Sequence, residues 1–145
     1  MEKRNISFAF VSISTEQFAI IEDNIDKRNS KFNLNSILEF KINKEENMVG
    51  VFLTFNFNQK DKVFLKIQTL CNFKIDENSW DELLVEDKIV IPKGYLTHIT
   101  VLSVGTTRGI LHEKTNDSFL NKFVLPTIDV TKLVNADAEF QIIKE

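Results

Sequence analysis

One cysteine, two prolines, four glycines, one tyrosine and one tryptophan in 145 residues leave little room for several kinds of chemistry. A lone Cys71 excludes an intramolecular disulfide framework and suits a reducing compartment; on a strand face it reads as a small core residue. The glycines, at 50, 94, 105 and 109, form neither a GxGxxG turn nor a phosphate-binding loop. The two histidines, His98 and His112, lack the carboxylate spacing of a zinc helix and read as packed or surface residues. Acidic pairs such as Glu22-Asp23 and Glu45-Glu46 fall in turn-like segments, where solvated charge is the simplest reading. No run approaches the ~18 apolar residues of a membrane helix. Positive charge is not in excess either: the net charge is −3 and the isoelectric point about 5.5, against a nucleic-acid binder. The opening MEKRNISFAFVSIS has basic residues before an apolar stretch. Polar residues interrupt that stretch and no small-residue cleavage site follows, so a first β-strand is expected there. Together these absences predict a soluble cytoplasmic protein of one domain, without cofactor or metal, that is not an enzyme.

What the chain does have is phenylalanine, thirteen in all. Phenylalanine has no polar handle, so it needs a core or an apolar partner surface. Filling a β-rich core is the plainer use; an interface or groove is the other.

Alternation dominates the first half. In ISFAFVSIS, Phe8 and Phe10 face one way and Ala9, Val11 and Ile13 the other. KFNLNSILEFKIN places Phe32, Leu34, Leu38, Phe40 and Ile42 on one face, opposite Asn33, Asn35, Glu39 and Lys41. MVGVFLTFNFN and KVFLKIQTLCNFKI repeat the pattern, which predicts half-buried strands. Short polar links at 43–47 and 58–62 suit hairpins, while the polar segment 22–31 is long enough to cross over the sheet.

The second half changes character. NSWDELLVED suggests a short helix with Ser79 as N-cap and Glu82 three residues on. From Pro92 to Thr115 the chain is rich in β-branched residues but too long for one strand, so a long helix is expected. Tyr95, Ile99, Leu102, Thr106 and Ile110 would form one stripe, and Val101, Val104 and Leu111 a second. A helix apolar on two faces is covered twice, by its own sheet and by another subunit. Asp129 can cap a last short helix bearing Val130, Leu133 and Val134; beyond Asn135 helix, strand and loose end stay open. The expected architecture is therefore α+β: a four-stranded antiparallel meander over 6–76 with a long first crossover, a helical half over 79–134, and a tail over 135–145.

This order of elements resembles the SecB-like export chaperones. VFLKIQTLCNFKID is similar to that family's fourth strand, and IPKGYLTHITVLSVGTTRG to its long helix, which begins near a proline and ends in Arg-Gly. KFVLPTIDVTKLV is similar to its closing apolar-Pro-apolar segment. The resemblance spans most of residues 6–134, its most specific parts being Arg108-Gly109 and the Pro126 segment. It implies an ATP-independent chaperone, a tetramer built as a dimer of dimers, that holds unfolded polypeptide clients in apolar surface grooves. Carried onto this chain, the groove residues would be Ile21, Ile25, Phe32 and Leu34 by the crossover and Val130, Leu133 and Val134 in the final helix. Tyr95, Ile99, Leu102 and Thr106 would be interface or sheet-packing residues.

Two departures stand out. The link from Arg108-Gly109 to Pro126 is longer than in the family, HEKTND being the extra part. The family also docks an acidic sheet face on the translocation ATPase SecA. Here the outward positions, among them Glu39, Lys41, Asn56, Lys66, Gln68, Asn72 and Lys74, are mixed in charge. A dedicated client or a toxin–antitoxin role therefore fits better than general export. Besides the chaperone, a β-rich protein binding a small apolar ligand inside its sheet and a structural subunit both remain consistent with the sequence.

Overall fold

A computed structural model describes residues 5–142. Residues 143–145, the end of the expected tail, lie outside the described part. Four long strands carry the molecule: β1 (Phe8–Ile20), β2 (Asn33–Asn43), β3 (Met48–Gln59) and β4 (Lys62–Ile75). They form one antiparallel sheet in the order β1-β4-β3-β2. The β2–β3 and β3–β4 links are tight, the second using Lys60 and Asp61 at φ 51° and 63°. Two successive residues in the left-handed region suit the right-handed twist of a hairpin. The 22–31 link does cross the sheet, which is why β1 lies beside β4 and not beside β2.

The alternation read from β2, β3 and β4 is the alternation of burial. Val49, Val51, Leu53, Phe55 and Phe57 are fully buried, and so are Leu65, Ile67, Cys71, Phe73 and Ile75. The reading of β1 needs correction. Bulges between Phe10 and Ser12, and between Thr15 and Gln17, shift its register. Ile13 consequently pairs with Cys71 on the same face as Phe10, which pairs with Phe73. A single extra residue turns every later side chain over.

The half after β4 is less helical than expected. A short helix α1 (Glu77–Glu82) has Asp76 at its N-cap position, and Ser79 lies inside it. Ser79 Oγ instead accepts a hydrogen bond from Ser7 N–H at 3.1 Å, tying α1 to the chain entering β1. Next come β5 (Leu84–Val85) and β6 (Lys88–Ile91), which the sequence reading did not anticipate. They form a second sheet with β7 (Ala138–Gln141), in the order β5-β6-β7, and so settle part of the tail as strand. The expected final helix is only a 3-10 turn, Val130–Lys132. Asp129 caps it as expected, accepting from Thr131 N–H at 3.2 Å.

The long helix α2 (Lys93–Lys114) starts just after Pro92, whose ring fixes the approach but whose missing N–H is not needed there. The first free N–H, that of Lys93, donates to the Asp137 carboxylate at 2.7 Å, so the tail supplies the cap. Gly109 does not end this helix. No glycine has positive φ, and the helix runs a further turn through His112 and Lys114. HEKTND is therefore mostly the last helical turn and its cap. Buried Thr115 and Asn121 close it: Thr115 Oγ1 donates to Leu111 O at 2.8 Å, and Asn121 Nδ2 donates to His112 O at 3.1 Å.

The helix buries one face, Tyr95, Leu96, Ile99, Thr100, Ser103, Val104, Thr107 and Leu111, against β3 and β4. Much of that face is hydroxyl. Thr107 bonds Thr69 of β4 side chain to side chain at 2.8 Å, and Ser103 and Thr107 also donate back to Ile99 and Ser103 carbonyls. This internal bonding lets β-branched and hydroxyl residues sit in a buried helix face without orphaned polar atoms. Cys71 lies beneath it, and burial raises its thiol pKa, so it is a packing residue.

Tyr95 Oη and Thr100 Oγ1 are exceptions, buried without a hydrogen-bond partner among the described residues. Burial pushes the Tyr95 phenol above its ordinary pKa of 10.0. In the unfolded chain the phenol ionises above about pH 10 while the buried one stays neutral, so the unfolded state then holds fewer protons. Stability therefore falls as pH rises past that point. Tyr95→Phe is expected to remove this alkaline loss and to stabilise the neutral protein by ~1 kcal/mol. Urea titrations at about pH 8 and about pH 10.5 check it; parallel losses in both proteins would contradict it.

Candidate functional site

Two surfaces leave apolar side chains open. The first is the trough between α2 and β1. The N-terminal end of α2 meets the start of β1, where the Phe8 ring lies edge-on to Tyr95 at 5.2 Å and His98 at 5.7 Å. At the other end Lys114 Nζ sits 5.4 Å over the Phe18 ring. Helix and strand thus run side by side for about 33 Å, ten strand residues or twenty-two helical ones. Along that length α2 packs mainly on β3 and β4 and meets β1 near its two ends, at Phe8 and Phe18. Phe10 and Ile13 are left exposed on the helix-bearing face, Ile13 by 53%.

The outer face of α2 flanks this trough. It carries Val101, 51% exposed, with Leu102, Gly105 and Gly109. Nothing lies within 4 Å of where a Cβ would stand on Gly94, Gly105 or Gly109. From residue 94 to 107 the chain holds no acidic or basic residue apart from His98. A surface helix normally turns charge to water, and this outer face turns none. β1 adds a thirteen-residue edge strand whose outer side pairs with no other strand among the described residues.

Of the residues expected at an interface, Tyr95 and Ile99 are buried in the chain's own core, whereas Leu102 is exposed and Thr106 half-exposed. The two stripes read from the sequence are therefore split differently. Val104 and Leu111 belong to the buried face, and Val101 to the open one.

The second surface is the corner where the crossover meets the segment after α2. Two amides pin the crossover. Asn24 Nδ2 donates to Val63 O at 2.8 Å. The buried Gln59 accepts from Asp26 N–H at 2.9 Å and donates to the Asn29 and Lys31 carbonyls at 2.9 and 3.0 Å. Beneath it Phe32 packs on Phe57 (5.0 Å) and Phe123 (5.8 Å), and Phe123 on Phe64 (4.9 Å).

The groove residues carried over from the resemblance are not all in one place. Ile21 is exposed, and Ile25, Phe32 and Leu34 are half-buried, around the crossover corner. Val130 and Val134 are buried and Leu133 half-buried, in a turn that packs on α2. What meets the crossover is the earlier 3-10 turn Phe119–Lys122: Lys122 Nζ donates to Lys27 O at 3.2 Å, and Lys27 Nζ stands 5.0 Å over the exposed Phe119 ring. Sequence reasoning missed Gln59, Phe119 and Phe123. Their only local signal was two phenylalanines four apart in SFLNKFVLP, too short to show a face.

The Arg-Gly and Pro126 features meet in space. Arg108 Nε donates to Leu125 O at 2.8 Å and Nη2 to Pro126 O at 2.7 Å. Two charged donors on adjacent carbonyls hold the return segment against α2. Arg108→Ala is expected to cost ~1.5–3 kcal/mol, with Arg108→Lys recovering only part of it. Thermal unfolding of the three proteins decides; equal midpoints for arginine and alanine would contradict the clasp.

Among the described residues no three of His, Cys, Asp and Glu stand close enough to hold a metal ion. No helix among them is long and apolar enough to cross a membrane. Compared with protein-family models, with curated proteins and with solved structures, the chain finds no match.

Proposed function

We propose that this chain acts as a SecB-like chaperone, an ATP-independent binder of unfolded polypeptides that assembles as a tetramer. The observation that carries the reading is apolar surface left open on an otherwise well-packed chain: the trough of Phe10, Ile13, Val101 and Leu102, and the corner of Ile21 and Phe119. Such surface must be met by a partner. The long trough suits other copies of the chain, because an edge strand and a charge-free helix face are both able to pair with themselves. The corner suits clients, because it is irregular and lined by the crossover. The four-stranded antiparallel sheet with its long first crossover supports this reading.

Binding would sum apolar burial along an extended segment at ~25 cal/mol per Å2, with little readout of sequence. The outward sheet face holds Glu39 against Lys41, Lys66 and Lys74, so SecA docking is not part of this reading; a dedicated client is. A small apolar ligand inside the sheet gains no support, since the inner positions of β3 and β4 are filled by their own side chains.

Aggregation of a heat-unfolded test enzyme, followed by light scattering, tests the activity. Suppression near one assembly per client, indifferent to added ATP, is expected. Aggregation unchanged at several-fold excess would reject the chaperone.

A further inference from the structure

The crossover corner is chemically one-sided. An open pocket of about 500 Å3 beside it is lined by Asn29, Ser30, Lys31, Phe32, Asn33, Asn58, Gln59 and Lys60, with two lysines and no carboxylate. Lys27 and Lys122 continue the same side, each over an aromatic ring, at 5.0 Å from Phe119 and 5.2 Å from Phe123. All four lysines are exposed, and none takes part in an ion pair among the described residues. Glu22 and Asp23, at the start of the crossover, do not line the pocket. Asp26 is turned onto Arg28, accepting its N–H at 3.1 Å and lying 3.7 Å from its guanidinium, and Asp61 sits in the neighbouring turn outside the pocket lining. In a chain of net charge −3, a pocket lined by two exposed lysines and no carboxylate is a local excess of positive charge.

We propose that the corner selects acidic clients: extended segments in which carboxylates alternate with apolar side chains. Carboxylates would meet Lys31 and Lys60, and the amides of Asn29, Asn33 and Asn58 can donate to the same oxygens. The apolar side chains would lie on Phe32 and Phe119. The buried Gln59 holds Asn29 and Lys31 in place by their carbonyls, so the pocket is set before a client arrives. Opposite charge at the rim contributes approach rate and choice of partner more than depth of binding. A polypeptide fits better than a nucleic acid, which would need cations tracking a backbone across the surface. This inference rests on the chaperone reading and names the class of client within it.

The test uses the full chain and two labelled twelve-residue peptides, one alternating Glu with Leu and Phe, the other carrying Lys for Glu, read by fluorescence anisotropy. The acidic peptide is expected to bind about tenfold tighter at low salt, and the preference should shrink as ionic strength rises from about 0.05 to about 0.5 M. Lys31→Glu with Lys60→Glu should abolish it. The salt series needs no variant, so a fold defect in the double mutant leaves the proposal open to refutation. Equal binding of both peptides, a preference for the basic one, or a labelled single-stranded oligonucleotide that binds more tightly than either would overturn it. The aggregation assay run beside it separates the two ideas. Suppression without peptide preference overturns acidic selection alone; no suppression and no peptide binding overturn both.

Discussion

Phe123→Ala is expected to destabilise the protein by about 3–5 kcal/mol, enough to leave it partly unfolded at moderate temperature. Phe123 is buried between Phe64 of β4 and Phe32 at the end of the crossover, at 4.9 and 5.8 Å. It joins the sheet, the end of the crossover and the return segment. Removing it opens a cavity walled by rigid rings, which cannot collapse to fill it. Phe119→Ala, four residues earlier, should cost under ~1 kcal/mol because that ring is already exposed. Urea unfolding of both variants gives the comparison. Similar small losses at the two positions would mean that Phe123 is not the keystone.

Val101→Asp combined with Leu102→Asp is expected to reduce the assembled protein to single chains of 16.8 kDa. Both side chains face solvent on an isolated chain, so aspartate there costs the fold little beyond ~0.5 kcal/mol of helix propensity per position. In an assembly that packs this helix face, two carboxylates per chain would be buried without partners, a cost of several kcal/mol each. Light scattering after size exclusion reads the mass, and far-UV circular dichroism shows that α2 survives. An unchanged assembled mass would place the interface elsewhere, and a monomeric wild type would remove it.

How much of this was legible in the sequence follows from where the forces are local. The inward faces of β2, of β3 and of β4 from Leu65 on were readable, because burial on one side of a strand imposes a two-residue period. At the start of β4 a register shift buries Phe64 and leaves Val63, expected inside, half-buried. The long helix was readable from length despite its poor propensity, and the buried bonds of Ser103 and Thr107 explain why that propensity did not matter. The face of Ile13 was not readable: a bulge depends on pairing with β4, not on the residues of β1. Nor was the second sheet, since β6 and β7 lie nearly fifty residues apart and are four residues each. The Ser79 signature misled because Asp76 lies at the N-cap position while Ser79 bonds a distant backbone.

The candidate surfaces divide the same way. Helical spacing alone cannot tell the open Leu102 from Tyr95 and Ile99, which share that spacing and point inward. The crossover corner came from three separate stretches that only the fold unites, which is why Phe32 was identified and its neighbours Gln59 and Phe123 were not.

A chaperone of this kind distinguishes an unfolded polypeptide from the same polypeptide folded. Titrating it into a labelled small disulfide protein, once native and once reduced and alkylated, measures this without any nucleotide. Saturable binding of the unfolded form, with the native form at least about a hundredfold weaker, is the predicted result. Equal affinity for the two forms, or none for either, would contradict it.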